Sequence, residues 1–246
     1  MVNDHPLVKG IDIICCRYRG LPECDGLFEL LYEQIRSNWG NRRPDRWPTL
    51  DKNWVLRVAP KYTERPTQHF EKQLQKQIAI SLESEGWGND VPTASGLVDS
   101  FSRQMNVDLA HQVADGFELI ELKIKSDTPY DAALQILRYG AIYMLYRLEA
   151  ELARRFKGHS MFCAKRIVLE VLAPHRYYAP TDIGYLRCLE GQLSRQVAAF
   201  AQERNAGVAL SFRFMAFCPE FVYQPGMDCD LIREAVWQRT SPLANK

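Results

Sequence analysis

The sequence lacks the features that mark secreted, membrane-spanning or strongly basic proteins. Charged residues interrupt its apolar runs well before the about 20 residues that a membrane-spanning helix requires. The first residues, Met1 to His5, form no basic and apolar signal sequence, so we expect a cytoplasmic protein with no membrane partner. The 31 basic and 30 acidic residues leave a formal net charge of +1, which is little for a protein that binds nucleic acid.

Cysteine occurs without the spacing of a disulfide framework or of a zinc site. The chain has 7 cysteines, an odd number, and no pair of them has the CxxC spacing. Those in the second half of the chain are too scattered for an iron–sulfur cluster. Cys15 and Cys16 are predicted to be core residues. The sequence shows no internal repeat and no low-complexity stretch.

The length and the apolar content are those of a folded, globular enzyme. A chain of 246 residues that is 46% hydrophobic can build a large core. We divide it into an N-terminal extension, residues 1–58, which packs on the core in an unknown role, and a main domain, residues 59–246. The extension contains a β-branched run from Ile11 to Cys16 and an amphipathic helix near Leu27 to Ser37.

Two apolar segments that carry acidic side chains predict a β-hairpin with a metal site. Asp108 lies in the first segment, and Ala114 to Gly116 offers residues that suit a tight connection. In the second segment, residues 117–125, Glu121 and Lys123 share one face. Asp108 and Glu121 are therefore expected side by side, as an oxygen site suited to Mg²⁺. Lys123 would position an attacking water or stabilise the charge that develops on a phosphate.

The segment after the hairpin predicts a helix buried on most sides. Thr128 is suited to the N-cap, Pro129 to the first helical position and Asp131 to the third. The residues that follow are almost continuously apolar. Gln135 and Tyr139 lie four residues apart, hence on one face, and polar groups in a buried helix need partners. The hairpin carboxylates are the nearest candidates.

Further segments predict an α/β fold with a mixed central sheet flanked by helices. We expect a helix from Pro66 to Ser84, then a short strand and a mobile loop within Gly86 to Asn106 that could gate the substrate. Arg166 to Leu172 is typical of a buried strand. Leu186 to Arg204 predicts a helix, and Val208 to Phe217 alternates like a strand.

In this order the polar residues resemble the PD-(D/E)XK nuclease superfamily, and within it the RecB-like branch. That family carries a glutamate on a helix, an aspartate on one strand, Glu/Asp-x-Lys on the next strand and Gln-x-x-x-Tyr on the following helix. A proline often precedes the aspartate, and Val107 stands there in this chain. The matching residues, within residues 60–175, are Glu71, Asp108, Glu121-Leu122-Lys123, Gln135 and Tyr139.

The resemblance implies a restriction-endonuclease-like α-β-β-β-α-β core and metal-dependent cleavage of phosphodiester bonds. The hypothesis is a Mg²⁺- or Mn²⁺-dependent deoxyribonuclease of DNA repair, restriction or phage defence. Asp108 and Glu121 would ligate the cation, and a main-chain carbonyl near Leu122 would add a ligand. Glu71 would bind through water or complete a second metal site.

The same hypothesis gives catalytic roles to three further side chains. Lys123 would stabilise the reacting water or the charge that forms on the phosphate. Gln135 and Tyr139 would hold the phosphate or the metal-bound water in position, a supporting role whose loss costs about 10 to 100-fold in comparable sites.

Basic side chains are the candidates for contacts with a nucleic-acid backbone. Arg42, Arg43 and Arg46 lie among tryptophans and could contact phosphates and stack on unpaired bases. A solvated loop is the other interpretation of this segment. Lys125 lies on the polar face that Lys123 shares. DNA is the expected partner, RNA is the second choice, and a homodimer is left open.

Several of these residues also have a purely structural interpretation. Asp108 could face solvent at a strand end. Glu121 and Lys123 could form a surface ion pair worth about 0 to 1 kcal/mol. Gln135 and Tyr139 could be a hydrogen-bonded pair that holds their helix in place. The alternative function is a catalytically inactive nuclease-fold protein that acts as a nucleic-acid-binding or scaffold module.

The helical glutamate and the histidines are assigned by their place in the periodicity. Glu71 lies beside the apolar stripe of its helix, and its rivals are Glu64, Glu83 and Glu85. The chain also offers His69 and His111, which lie on the wrong faces for Glu71 and Asp108 and are predicted to be surface residues.

Overall fold

The computed structural model describes residues 5–19, 24–41, 50–58, 69–98 and 105–244. Within these ranges three α-helices come first, three strands follow, and from there helices alternate with single strands. The strands are Trp87–Pro92 (β1), Asn106–Val113 (β2), Gly116–Leu122 (β3), Arg166–Pro174 (β4) and Ala209–Phe217 (β5). The helices are Ile11–Tyr18 (α1), Leu27–Gly40 (α2), Phe70–Ser81 (α3), Pro129–Leu148 (α4), Ala150–Arg155 (α5), Ser160–Cys163 (α6), His175–Tyr178 (α7), Ile183–Glu203 (α8) and Cys229–Trp237 (α9).

The five strands form one mixed sheet in the order β1-β2-β3-β4-β5. β1, β2 and β3 pair antiparallel, whereas β3, β4 and β5 pair parallel. A parallel pair needs a crossover connection, and α4 provides the one between β3 and β4. The predicted α/β class, with a mixed central sheet flanked by helices, is therefore confirmed.

The predicted hairpin is formed by β2 and β3. Only Ala114 and Asp115 connect the two strands, and Val113 pairs with Gly116 at the turn. The connection also meets β4, because the main-chain N–H of Lys165 donates to the carbonyl of Asp115. Such a short turn fixes the register of the two strands, since a slip by one residue would exchange their two faces.

Each face of the sheet packs against its own set of helices. On one face Phe117 and Leu119 of β3 join a large apolar cluster with α2, α4 and α8. On the other face Ile120 and Leu122 pack against α3 and α9. Leu27, in the N-terminal segment, is fully buried in the first cluster, so that segment contributes to the core of the sheet. All residues of β3 are buried, which makes β3 a central strand.

The helix after the hairpin begins as the sequence predicts. The Thr128 side chain accepts from the N–H of Asp131, the Asp131 carboxylate accepts from the N–H of Thr128, and Pro129 follows the cap. Most of α4 is buried. Because its start is fixed at Thr128, the faces that its later residues present to the hairpin are fixed as well.

Two local predictions are wrong. Cys15 and Cys16 are predicted to be core residues, but in the helix that the run from Ile11 to Cys16 forms only Cys15 is buried. Cys16 lies on the exposed side of α1. His111 is not a surface residue, since its ring stacks on Trp87 with the centroids 4.5 Å apart.

Gly116 provides a test of the junction between the hairpin and β4. A Cβ at this position would lie 1.9 Å from the main-chain oxygen of Arg166, which belongs to a central strand and cannot give way. Gly116→Ala should therefore lower the free energy of unfolding by about 2 kcal/mol or more, as overpacking does elsewhere. Urea denaturation followed by circular dichroism measures this change.

Gly40→Ala is the matched control. Nothing lies within 4 Å of a Cβ built at Gly40, and the residue ends α2. This change should leave stability equal or slightly higher, because alanine favours helix. Equal destabilisation by the two substitutions would contradict the packing described for Gly116.

Candidate active site

Three carboxylates lie in one row across three neighbouring strands. In the β1–β2 register Asp90 lies opposite Asp108, because the residues on both sides of each are paired. The paired stretch of β2 and β3 ends with Leu109 opposite Ile120, so the next residues, Asp108 and Glu121, follow side by side. Directly opposed residues in a sheet have their Cβ atoms about 5 Å apart. The register therefore brings these acidic groups to one end of the hairpin.

Asp108 is fixed by bonds from two directions. Its Oδ2 accepts from the main-chain N–H of Leu122 at 3.1 Å, and its Oδ1 lies 3.1 Å from the ammonium of Lys72. The main-chain carbonyl of Asp108 accepts from the side-chain amide of Gln75. The Asp108 side chain is only 13% exposed. It is thus an oriented carboxylate, and its partners come from both β3 and α3.

Lys123 is the centre of the acidic group. It follows β3 directly and is only 3% exposed. Its Nζ lies 2.9 Å from the Glu121 carboxylate, 3.3 Å from Asp127 and 4.0 Å from Glu71. The same Nζ donates to the side-chain oxygen of Gln135 at 2.8 Å. A buried ammonium held by several oxygens has one position, which is what a group that stabilises developing charge requires.

Glu71 reaches this group from the first turn of α3. Its Oε2 accepts from the N–H of Ile124 at 3.2 Å and from the hydroxyl of Ser126 at 3.1 Å. Among its rivals, Glu85 contacts Trp237 and Arg233 instead. Glu83 is exposed, and Glu64 lies outside the described residues. Of the three described candidates for the helical glutamate, Glu71 is the one with contacts to Lys123 and its loop.

The glutamine and tyrosine of α4 have different surroundings. Gln135 donates to Asp127 at 3.4 Å and accepts from Lys123, so it joins the ion cluster directly. Tyr139 packs at the edge of the apolar cluster. Burial raises the pKa of its hydroxyl well above the usual value, and the nearby charges of Glu121 and Asp108 raise it further. Tyr139 therefore stays protonated and can act as a hydrogen-bond donor.

The pKa values of the glutamates at the site are raised. Burial raises the pKa of Glu121, and the charge of Asp108 raises it further, although Lys123 opposes both effects. Burial likewise raises the pKa of Glu71, again against the influence of Lys123. The carboxylates raise the pKa of Lys123 although burial alone would lower it. Lys123 alone does not offset the repulsion between these carboxylates, so the site would attract a further positive charge.

Two residues of the site were missed by the sequence interpretation. Asp90 lies in a stretch of glycine, asparagine and aspartate that was taken as a strand with a loop, and its φ of 47° is unusual for a strand residue. Lys72 stands beside Glu71 in the sequence, and its ammonium contacts Asp90 and Asp108. If Trp87–Pro92 is paired with β2, the register places Asp90 opposite Asp108 and so identifies it as part of the site. Nothing in the local sequence distinguishes Lys72 from Lys76.

The basic residues proposed for nucleic-acid contacts are only partly described. Arg42, Arg43 and Arg46 lie outside the described residues. Lys125 is exposed close to the site, and its Nζ lies 6.0 Å from the ring centre of Phe70. The expected gating loop lies partly in residues 99–104, which are also outside the described ranges.

A cleft of about 260 Å³ opens between α1 and α4 next to the site. Two of its lining residues, Asp127 and Gln135, contact Lys123, so the cleft leads from solvent to the ion cluster. The lining contains two arginines and three aspartates, which leaves no net positive charge. It consists of Asp12, Cys15, Cys16, Arg19, Asp127, Asp131, Leu134, Gln135 and Arg138.

A second buried ion cluster lies on the face of the sheet that α3 and α9 cover. Glu118 lies 2.8 Å from His111, 2.5 Å from Arg213 and 2.7 Å from Arg239. The two arginines also contact Glu170. These partners lower the pKa of Glu118 to about 2, although burial alone would raise it. The charges are matched two against two, as in a cluster that ties the segment after α9 to the sheet.

The carboxylate oxygens at the end of the hairpin have the chemistry that Mg²⁺ and Mn²⁺ prefer. Mg²⁺ commonly uses only one or two carboxylates and completes its shell with water and phosphate. Over the ranges that the structure describes, no group of three or more His, Cys, Asp or Glu side chains is arranged to hold a metal ion. Asp108 and Glu121 instead face the ammonium groups of Lys72 and Lys123.

Comparisons with known proteins add no further identification. The chain matches no protein-family model, no curated protein and no solved structure. Within the described residues, no helix combines the length and the apolar character that crossing a membrane requires.

The raised pKa of Glu121 predicts a pH-dependent gain in stability for Glu121→Gln. A carboxyl whose pKa is higher in the folded chain than in the unfolded chain binds more protons when folded. The free energy of unfolding therefore falls as the pH rises above about 4.5. Glutamine does not titrate, so the variant should gain on the wild type by up to about 1.4 kcal/mol per pH unit in this window. Urea denaturation between pH 5 and pH 8 measures the difference.

Glu203→Gln is the control, since Glu203 is an exposed carboxylate at the end of α8. Its stability should follow that of the wild type at each pH. A Glu121→Gln variant that loses stability relative to the wild type as the pH rises would contradict a raised pKa of Glu121.

Proposed function

We propose that the chain is a Mg²⁺- or Mn²⁺-dependent deoxyribonuclease that hydrolyses phosphodiester bonds. The observation that carries the proposal is the meeting of Asp108, Glu121 and a buried Lys123 at one end of the β2–β3 hairpin. Paired carboxylates with an oriented ammonium are suited to binding a divalent cation and to stabilising charge on a phosphate.

We also propose that the segment from α3 to β4 is a restriction-endonuclease-like core. Its elements follow one another as α3-β1-β2-β3-α4-β4, apart from the short helices α5 and α6. The resemblance to the PD-(D/E)XK superfamily predicts the same order. The proposed site residues come from α3, β2, β3 and α4, as in that pattern, which supports the proposal beyond the sequence motif alone.

The oxygen donors of the site fit a hard divalent cation. Asp108 and Glu121 would hold it, with a main-chain carbonyl near Leu122 and with Glu71 directly or through water. The bound cation would supply Lewis-acid polarisation of the phosphate and a water of lowered pKa. On binding the cation, Asp108 and Glu121 would give up part of their ion pairing with Lys72 and Lys123.

The other side chains would act on the substrate around this point. Lys123 would stabilise negative charge as it builds up on the phosphate, because Gln135 and Asp127 keep its ammonium in place. Tyr139 would donate a hydrogen bond and remain protonated. Exposed Lys125 would contact the backbone of the nucleic acid beside the site.

The proposed substrate is DNA, with RNA as the second choice, and the proposed place of action is the cytoplasm in repair, restriction or phage defence. A homodimer is compatible with this function. The second candidate function is a nuclease-fold module that binds or scaffolds without catalysis. The net charge of +1 favours it, because neutralised phosphates dominate the affinity for DNA.

Nuclease activity is tested with linear and circular DNA in the presence of Mn²⁺. The wild type should cleave, and Asp108→Asn and Lys123→Met should each lower the rate by at least about 100-fold, the scale of losing one charge-stabilising group. Circular dichroism of each variant checks that it is folded. Products from linear and from circular DNA are resolved on a gel over time.

Asp115→Asn is the matched control, since Asp115 is a carboxylate at the turn of the same hairpin, paired with Arg166 on the surface. It should cleave like the wild type. Equal cleavage by Asp108→Asn and the wild type would refute the assignment. An inactive wild type that still retains DNA in a gel shift would favour the scaffold function.

A further inference from the structure

The ammonium of Lys72 joins two carboxylates at the edge of the candidate site. Its Nζ lies 3.1 Å from Asp108 Oδ1 and 3.2 Å from Asp90 Oδ1. Gln75, one turn further along α3, donates to Asp90 at 3.4 Å and to the main-chain oxygen of Asp108. One face of α3 therefore holds β1 and β2 together at the two aspartates.

Asp90 has the backbone conformation of a residue under constraint. Its φ of 47° lies in the left-handed region, although both neighbours are paired in β1. Residues other than glycine adopt this conformation in a strand only where the surroundings impose it, and such positions concentrate at functional sites. Here the surroundings include the contacts of its carboxylate with Lys72 and Gln75.

Lys72 and Lys123 differ in their freedom to move. The side chain of Lys123 is 4% exposed, whereas that of Lys72 is 48% exposed. Lys72 can therefore turn into solvent without opening the core, because its long stem lies at the surface. Of the two ammonium groups that face the carboxylates, Lys72 is the exchangeable one.

We propose that Lys72, anchored by Asp90, competes with a divalent cation for Asp108 and so sets the cation affinity of the site. This inference rests on the proposed function, in which the cation binds Asp108. A cation and an ammonium on the same carboxylate repel each other, so binding of the cation favours withdrawal of Lys72, the ammonium that is free to move. Lys72 and Asp90 are thus positioning residues that control access to the carboxylate.

The neighbouring carboxylates favour the protonated form of Lys72, which this competition requires. Burial alone would lower the pKa of Lys72, but Asp108 and Asp90 outweigh that effect and raise it above the usual value. The ammonium can leave Asp108 by rotation of the half-exposed side chain into solvent.

The test is isothermal titration of the purified full chain with Mn²⁺ alone. Lys72→Met removes the competing charge and should lower Kd by at least about tenfold, whereas Lys72→Arg keeps a cation and should bind like the wild type. Lys76→Met, one turn along the same helix, is the control and should leave Kd unchanged. A merely structural role for Lys72 would weaken binding when it is replaced.

Asp90 is tested in the background that lacks the lysine. In Lys72→Met the Asp90 carboxylate adds negative charge near the cation, so Lys72→Met/Asp90→Asn should bind Mn²⁺ several-fold more weakly than Lys72→Met. Asp90→Asn in the wild type completes the test of the anchor: if it changes Kd by the same factor with and without Lys72, Asp90 does not act through the lysine and is removed from the proposal.

The outcomes separate this inference from the function on which it rests. If the wild type binds Mn²⁺, Asp108→Asn does not, and Lys72→Met binds no more tightly than the wild type, the competition is refuted while the metal site stands. If neither the wild type nor Lys72→Met binds Mn²⁺, the metal site itself is refuted and the inference falls with it.

Discussion

The register of the β2–β3 hairpin is the constraint on which the rest of the site depends. A two-residue connection leaves the strands one way to pair, and that pairing sets Asp108 beside Glu121. The same register aims the N–H of Leu122 at Asp108 and leaves Lys123 just beyond the last residue of β3. Apolar side chains on both faces hold the strand in place, so the polar groups at its end have little freedom to rearrange.

The site places like charges together at the expense of stability. Asp108, Glu121 and Glu71 converge, and the pKa values of the two glutamates are raised because burial and mutual repulsion disfavour their ionised forms. Lys72 and Lys123 offset part of this repulsion. The second ion cluster differs, because two arginines match Glu118 and Glu170 there and lower the pKa of Glu118. Repulsion between carboxylates is thus only partly offset at the first cluster, whereas the charges of the second cluster are matched.

The elements that rest on local chemistry could be predicted from the sequence, and those that rest on tertiary packing could not. The hairpin follows from alternation and a turn, and α4 follows from the cap at Thr128. The run from Ile11 to Cys16 became helical because α1 packs one side on the core, which outweighs its β-branched preference. Asp90 escaped notice because a left-handed residue in a strand has no local signature. Lys72 resembles any other helix lysine until α3 is docked against the sheet.

The position of Lys123 has a consequence for how the molecule opens. Its amide donates to the carbonyl of Leu172, so the peptide that carries the buried ammonium extends the parallel ladder between β3 and β4. Exchange of this amide proton with solvent requires the end of that ladder to separate. The end of the hairpin that carries Lys123 is therefore held by the sheet, while the half-exposed Lys72 can fluctuate beside it.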